Sequence, residues 1–195
     1  MPPEFQKTFL LHIVSPDAPL IDGNTIVTEN STGGQLRLIS LTDNAVFDPI
    51  GGEGRHQYLN GSECLTASGA HDKHWGRVEI SLPSGEKDGG FLHVLCVTDA
   101  GNTAASPDIR RISGSCISGA SFGSVYALFA DARKRTAETL CCDLPAAGDV
   151  YLCGIAAGKW NVSADGNTLG TYTASEEGCM LVLHAPAGHI NFVHI

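Results

Sequence analysis

The chain has 195 residues, of which 43% are hydrophobic and 17% are charged, so it carries enough apolar material for a folded core. Its formal net charge of −9 at pH 7 argues against nucleic acid or an anionic membrane as a partner. No apolar run reaches the roughly 18–20 residues that a membrane helix needs.

The cysteines and the N-terminus point to a reducing compartment. There are seven cysteines, an odd number, and none is spaced as CxxC. The segment Met1–Glu4 does not resemble the basic start of a secretory signal. We therefore expect free, buried thiols and a cytoplasmic protein, with a secreted protein lacking its leader as the alternative.

Short apolar segments separated by turns fill the first half of the chain. Glycine-rich turns such as Asp22-Gly23-Asn24 and Gly51-Gly52-Glu53-Gly54 divide them. Strands are predicted at 9–14, 25–28, 35–41 and 56–59.

Two further segments of the first half give stronger strand patterns. In Arg77–Leu82, Val78, Ile80 and Leu82 alternate with polar residues, which predicts a strand with one buried face. Phe91–Thr98 is the most apolar stretch and is typical of a central strand.

The second half continues in the same style. Ala127–Leu140 is rich in helix formers, but its surroundings favour two strands around a charged turn. Trp160–Tyr172 predicts a hairpin with Asp165-Gly166 at its tip. The whole pattern predicts an all-β fold, an antiparallel β-sandwich or jelly roll, and the absence of a linker predicts one domain over 1–195.

One group of side chains has the residue types needed for β-elimination. If 56–59 is a strand, His56 and Tyr58 share a face, as Arg77 and Glu79 do on theirs. Arg77 would neutralise a substrate carboxylate, while Tyr58 and His56 would act as base and acid. Trp75 and Glu79 are the expected substrate contacts, and ordinary cross-strand pairing on a solvated face is the alternative interpretation.

The segment His71-Asp72-Lys73-His74-Trp75 is a second candidate. His71 and His74 could bind a divalent metal with a third ligand from another strand. The alternative is a solvated loop that Trp75 anchors to the sheet. No other cofactor is expected.

Several motifs resemble the C-terminal β-sandwich of heparinase II/III-type polysaccharide lyases. Phe5–His12 resembles their "KKTFLLH" strand, Gly51–Arg55 their "GGPG" loop, and Trp75–Ser81 their "WGRVEVSP" strand. Phe91–Ala100 resembles "FLNVLYVTDA", and Gly154–Val162 resembles "GLPAGTWTV". The order and approximate spacing also agree.

The resemblance implies a β-sandwich fold and a connection with polysaccharides. Those lyases carry most of their catalytic residues on an N-terminal α/α toroid, which this chain lacks. Three functions therefore stay open: a carbohydrate-recognition or accessory module, a compact lyase acting on uronic-acid polysaccharides, and a structural or oligomerisation domain. The expected partners are a polysaccharide or oligosaccharide, and either a second copy of the chain or a separate catalytic toroid.

Overall fold

The computed structural model describes residues 7–59, 61–64, 74–83, 89–101, 108–131 and 134–195, which form β-strands joined by turns and loops. The all-β class predicted from the sequence is thereby confirmed. The sequence predicted one domain over 1–195, whereas the contacts group the chain into two compact units, Met1–Ala104 and Ala105–Ile195. The boundary falls within 102–107, outside the described residues.

The first unit is a sandwich of two antiparallel sheets with a small additional hairpin. One sheet has the order β1-β8-β5, the second has the order β2-β3-β4-β9, and β6 pairs with β7. The strands are β1 (Thr8–Ile13), β2 (Leu20–Asp22), β3 (Thr25–Glu29), β4 (Gly34–Ser40), β5 (Val46–Gly51), β6 (Tyr58–Leu59), β7 (Ser62–Glu63), β8 (Gly76–Ser81) and β9 (His93–Asp99).

The core of this unit lies between its two larger sheets. Val78 and Ile80 of β8 are fully buried, and they pack in one cluster with Ile26 and Leu38 of the facing sheet. Leu82, just beyond β8, is also buried. The predicted alternation along 77–82 is therefore confirmed.

Two strand predictions in the first unit are wrong. Only Tyr58 and Leu59 of the segment 56–59 are in a strand, and His56 lies in the preceding turn. The apolar segment 91–98 forms an edge strand rather than a central one, because β9 pairs with β4 alone among the described strands. Leu95 and Val97 are consequently 50% and 79% exposed.

The second unit is a single nine-stranded sheet that curves around its own core. Its order is β16-β15-β18-β13-β10-β11-β12-β14-β17, and its two end strands, β16 and β17, contact each other. Of its described ladders, that between β12 and β14 is parallel. The strands are β10 (Ile109–Ser115), β11 (Ile117–Phe122), β12 (Val125–Ala130), β13 (Leu140–Leu144), β14 (Gly148–Cys153), β15 (Gly158–Ala164), β16 (Asn167–Ala174), β17 (Met180–Ala185) and β18 (Gly188–His194).

Local predictions in the second unit agree with the structure. The hairpin of β15 and β16 turns at Asp165 and Gly166, whose φ angles of 49° and 81° suit the tight turn that Asp-Gly favours. The segment 127–140 holds no helix among its described residues: β12 continues into it as far as Ala130, and β13 begins at Leu140.

All seven cysteines are free, as predicted. Their expected burial is correct only in part, since Cys142 and Cys179 are buried while Cys64 and Cys116 are exposed. Within the described ranges there is no helix long and apolar enough to cross a membrane.

Candidate functional site

Trp75 is held in place by backbone hydrogen bonds at the start of β8. Its N–H donates to the Ser15 carbonyl at 2.6 Å, and its own carbonyl accepts from the Gly52 N–H at 2.8 Å. Its ring lies on Gly51, where a Cβ would approach the ring to 2.6 Å, so this position requires glycine. Trp75 is half-buried and packs against the core of the first unit.

Arg77 and Glu79 share one face of β8, as their spacing predicted, and they form an ion pair there. The Arg77 Nη2 and Nε atoms lie 2.6 and 2.7 Å from Glu79 Oε1. Arg77 Nη1 donates to the Tyr58 carbonyl at 2.6 Å, and the Arg77 side chain is only 13% exposed. The guanidinium therefore already has charge-balancing and hydrogen-bonding partners within the protein.

His56 contacts the residues just before β8 through its ring, and Tyr58 contacts Arg77 of β8 through its backbone carbonyl. His56 Nδ1 lies 3.0 Å from the His74 carbonyl and 3.3 Å from the Trp75 carbonyl. Because carbonyls only accept, Nδ1 carries the proton in this arrangement. The Tyr58 ring lies beneath the guanidinium of Arg55 at 5.0 Å. His56, Tyr58 and Arg77 therefore lie in one region. Their described contacts attach the β6–β7 hairpin and the turn before it to β8 and the residues just before β8.

The predicted metal ligands are described only in part. His74 lies beside His56, with ring centroids 6.2 Å apart, while His71 is outside the described residues. Among the described residues, no three His, Cys, Asp or Glu side chains are placed to share a metal ion. The His71 and His74 site stays a prediction.

A groove that sequence reasoning did not identify lies beside this region. Its volume is about 190 Å³, and it opens between the end of β1 and the side of β3, β4 and β9 that faces the core. His12, which is exposed, pairs in register with Arg77 across β1 and β8. The lining residues are His12, Val14, Ser15, Thr28, Asn30, Gly34, Gln35, Leu36 and Val97.

One wall of the groove is ordered by hydrogen bonds between side chains and backbone. Asn30 Oδ1 accepts from the Gly34 N–H at 2.7 Å and from the Thr32 N–H at 3.1 Å, which fixes the turn before β4. Gln35 Nε2 donates to Glu29 Oε1 at 2.8 Å. The polar lining is thereby held in position before any ligand arrives. The sequence signal for this wall is the turn Asn30-Ser31-Thr32-Gly33-Gly34.

Comparison with protein-family models and with curated proteins found no match to this chain.

Proposed function

We propose that the chain is a carbohydrate-recognition module and that the groove beside β1 receives part of a polysaccharide or oligosaccharide. The observation that carries the proposal is the groove's lining, which combines apolar side chains with hydroxyl, amide and imidazole groups. The resemblance to the sandwich of polysaccharide lyases supports the same ligand class.

The composition of the groove suits a sugar ring. Val14, Leu36 and Val97 supply apolar surface for the C–H faces of a sugar, and Thr28 and Gln35 supply groups that hydrogen-bond to hydroxyls. The volume is below the roughly 300–1,000 Å³ of pockets for drug-sized ligands, so one sugar unit fits better than several.

The charge of the groove and of the chain limits the class of glycan that can bind. Among the described residues, the lining contains no Asp, Glu, Lys or Arg, and the chain carries a net charge of −9. Highly sulfated chains need basic patches and are repelled by an acidic protein. Neutral or weakly acidic glycans are therefore the expected ligands.

The experiment is a binding measurement against a panel of neutral, uronic-acid and sulfated oligosaccharides. Val14→Trp is the test variant because Val14 lines the groove and is 76% exposed, so the larger ring blocks the groove without disturbing the core. We expect affinity to fall at least about tenfold, which corresponds to about 1.4 kcal/mol.

Val46→Trp is the matched control. Val46 is 56% exposed on β5 and does not line the groove, so this variant should bind like the wild type. Binding that survives Val14→Trp would show that the ligand sits elsewhere, and the absence of binding across the panel would favour a structural domain.

A β-elimination activity is the second candidate, because His56, Tyr58 and Arg77 lie in one region. For Arg77 to neutralise a substrate carboxylate, it would have to exchange its partner Glu79 for the substrate. If the enzyme hypothesis is correct, uronic-acid polymers will yield ultraviolet absorbance from a new C4–C5 double bond, and Tyr58→Phe will lower the rate about 100-fold.

The binding hypothesis gives a different result in the same assay. We expect no absorbance change, and Arg77→Ala should destabilise the unit by about 1–3 kcal/mol because it leaves Glu79 and the Tyr58 carbonyl without their partner. Denaturant titration measures this loss. Product formation would overturn the assignment as a binding module only.

A further inference from the structure

The side-chain amide of Asn30, which lines the groove, has a fixed orientation. Its Oδ1 accepts from the Gly34 N–H at 2.7 Å, from the Thr32 N–H at 3.1 Å and from the Thr32 hydroxyl at 2.9 Å. Because backbone N–H groups only donate, the oxygen must face this turn and the NH₂ group must face away from it. Among the described residues Asn30 Nδ2 has no acceptor, so it is a donor held ready for a ligand.

The NH₂ group of Asn30 lies on the side of the sheet that carries an apolar row. A Cβ built on Gly34 would lie 3.0 Å from Asn30 Nδ2. Gly34 and Leu36 are two residues apart on β4, so that Cβ would point to the same side of the sheet as Leu36. The register places Thr28 opposite Leu36, and Leu36 opposite Val97. The fixed donor therefore stands next to a row of three side chains that crosses β3, β4 and β9.

This row combines apolar surface with one free hydroxyl. Leu36 is half-buried and Val97 is 79% exposed. The Thr28 hydroxyl has no hydrogen-bond partner among the described residues. Because a hydroxyl both donates and accepts, Thr28 Oγ1 can accept from an N–H group of a ligand. The groove thus presents a donor, an acceptor and an apolar surface close together.

We propose that the groove selects the acetamido group of an N-acetylated sugar, an inference that rests on the proposed function of the groove as a sugar site. The acetamido carbonyl accepts from Asn30 Nδ2, and the acetamido N–H donates to Thr28 Oγ1. The methyl group packs on Leu36 and Val97. Asn30 is then the residue that determines which sugars bind.

The shape of an acetamido group suits this arrangement. It is a trans secondary amide, whose N–H and C=O groups point in opposite directions. Thr28 and Asn30 are two residues apart at the end of β3, so their Cα atoms are about 7 Å apart and an amide between them can bond to both.

Other groups at the same position of a sugar satisfy the groove less well. A free hydroxyl can make both hydrogen bonds, but it has no apolar part to cover Leu36 and Val97. A protonated amino group only donates, so it would meet the fixed donor of Asn30. An acetamido group is also uncharged, as the lining of the groove requires.

Calorimetry and saturation-transfer NMR with small sugars test the proposal. The probes are N-acetylglucosamine and N-acetylgalactosamine, and the matched sugars without the acetyl group are glucose, galactose and glucosamine. We expect the acetylated sugars to bind at least about tenfold more tightly, which is the scale of discrimination by a small apolar group. We also expect the acetamido methyl protons to receive the strongest saturation.

Asn30→Asp removes the donor and should abolish the preference for acetylated sugars. It keeps an oxygen that accepts from the Gly34 and Thr32 N–H groups, so the melting temperature should not change. Asn161→Asp is the matched control, because it makes the same change of charge in the second unit and keeps the acceptor of the Thr171 hydroxyl. This control should retain the preference.

Thr28→Val tests the second hydrogen bond, because valine has nearly the shape of threonine without its hydroxyl. We expect the affinity for the acetylated sugars to fall about threefold to tenfold, the usual scale for one hydrogen bond between neutral groups. An unchanged affinity would overturn the role of Thr28.

The outcomes separate this inference from the proposed function. If acetylated and matched sugars bind equally and Val14→Trp weakens both, the groove binds sugars and the acetamido assignment is wrong. A preference that survives Asn30→Asp would also overturn the assignment. If no sugar binds, the proposed function fails and this inference fails with it.

Discussion

Both units form an all-β core, but the core of the second unit contains more buried residues than the core of the first. Among the described residues the second unit buries a cluster of nineteen residues, whereas the corresponding cluster of the first unit has six. The second unit spans the shorter segment of sequence. Chain length therefore does not explain the difference.

The difference follows from how each unit treats the ends of its sheets. The second unit brings its end strands β16 and β17 together, and its strands alternate regularly between buried and exposed residues, as in β14 and β17. Among the described residues, the two larger sheets of the first unit have unpaired edge strands, β1 and β5 in one and β2 and β9 in the other. A groove and exposed apolar side chains accompany those edges.

This contrast between the units bears on which of them is more stable and which binds a ligand. Regions with fewer buried apolar contacts open at lower free energy, and ligand sites are drawn from them. We expect the first unit to be the less stable of the two and to carry the binding surface.

The largest expected effect on the free energy of unfolding comes from truncating one buried side chain in the core of each unit separately. Ile80→Ala in the first unit and Leu152→Ala in the second should each cost about 2–5 kcal/mol, since both side chains are fully buried. Trp75 reports on the first unit and Trp160 on the second, so Trp160→Phe and Trp75→Phe backgrounds give separate fluorescence signals in a denaturant titration.

The two signals decide whether the contrast holds. The Trp75 transition should occur at lower denaturant, Ile80→Ala should shift that transition alone, and Leu152→Ala should shift only the transition of Trp160. Coincident transitions that move together in both variants would show a single cooperative unit and would remove the comparison.

Local patterns predicted much of the fold. Alternation identified the buried face of β8, and Asp165-Gly166 identified the turn of a hairpin, because both signals lie within a few neighbouring residues. The prediction for 91–98 was wrong because an apolar run of this length looks alike in a central and in an edge strand. Which strands flank β9 is decided by pairing partners distant in sequence.

The candidate site was less predictable for the same reason. The proximity of Arg77 to Glu79 follows from their spacing on one strand. The groove instead joins His12, Asn30 and Val97 from three separate segments, and no local motif links them. The sequence prediction began the strand at His56, whereas in the structure the strand begins at Tyr58.

A smaller effect concerns how the free energy of unfolding of the first unit depends on pH. His93 lies against Phe9 and Phe91, with ring centroids 4.6 and 5.5 Å away, and neither of its buried ring nitrogens has a hydrogen-bond partner. Burial lowers the pKa of His93 below its ordinary value of 6.5, and a backbone contact with Leu92 partly offsets this.

The sign of the effect follows from proton binding. Because the unfolded chain binds the proton more readily, the neutral ring stabilises the fold fully above pH 6.5, and this stability is lost as the pH falls below that value. Denaturant titrations between pH 8 and pH 5, followed by Trp75, should show a weaker pH dependence in His93→Phe than in the wild type.

His12→Gln provides the control for this measurement, since it removes an exposed imidazole from the same unit. It should keep the wild-type pH dependence. An unchanged slope in His93→Phe would show that other groups control the acid stability of the first unit.

The smallest effect concerns thiol reactivity, which should follow burial in each unit. Burial, reinforced by the neighbouring Cys141 and Asp143, raises the pKa of Cys142 to about 12, and burial also raises the pKa of Cys153. Since the thiolate is the reactive form, Cys142 should not react with a disulfide reagent at pH 8 in the native protein, while exposed Cys64 and Cys116 react first.

Denaturation without reductant should release all seven thiols. Cys116→Ser should remove one fast-reacting group, and Cys142→Ser should leave the fast count unchanged. Rapid native labelling of Cys142 would show that the second unit opens readily, against the stability that its larger core implies.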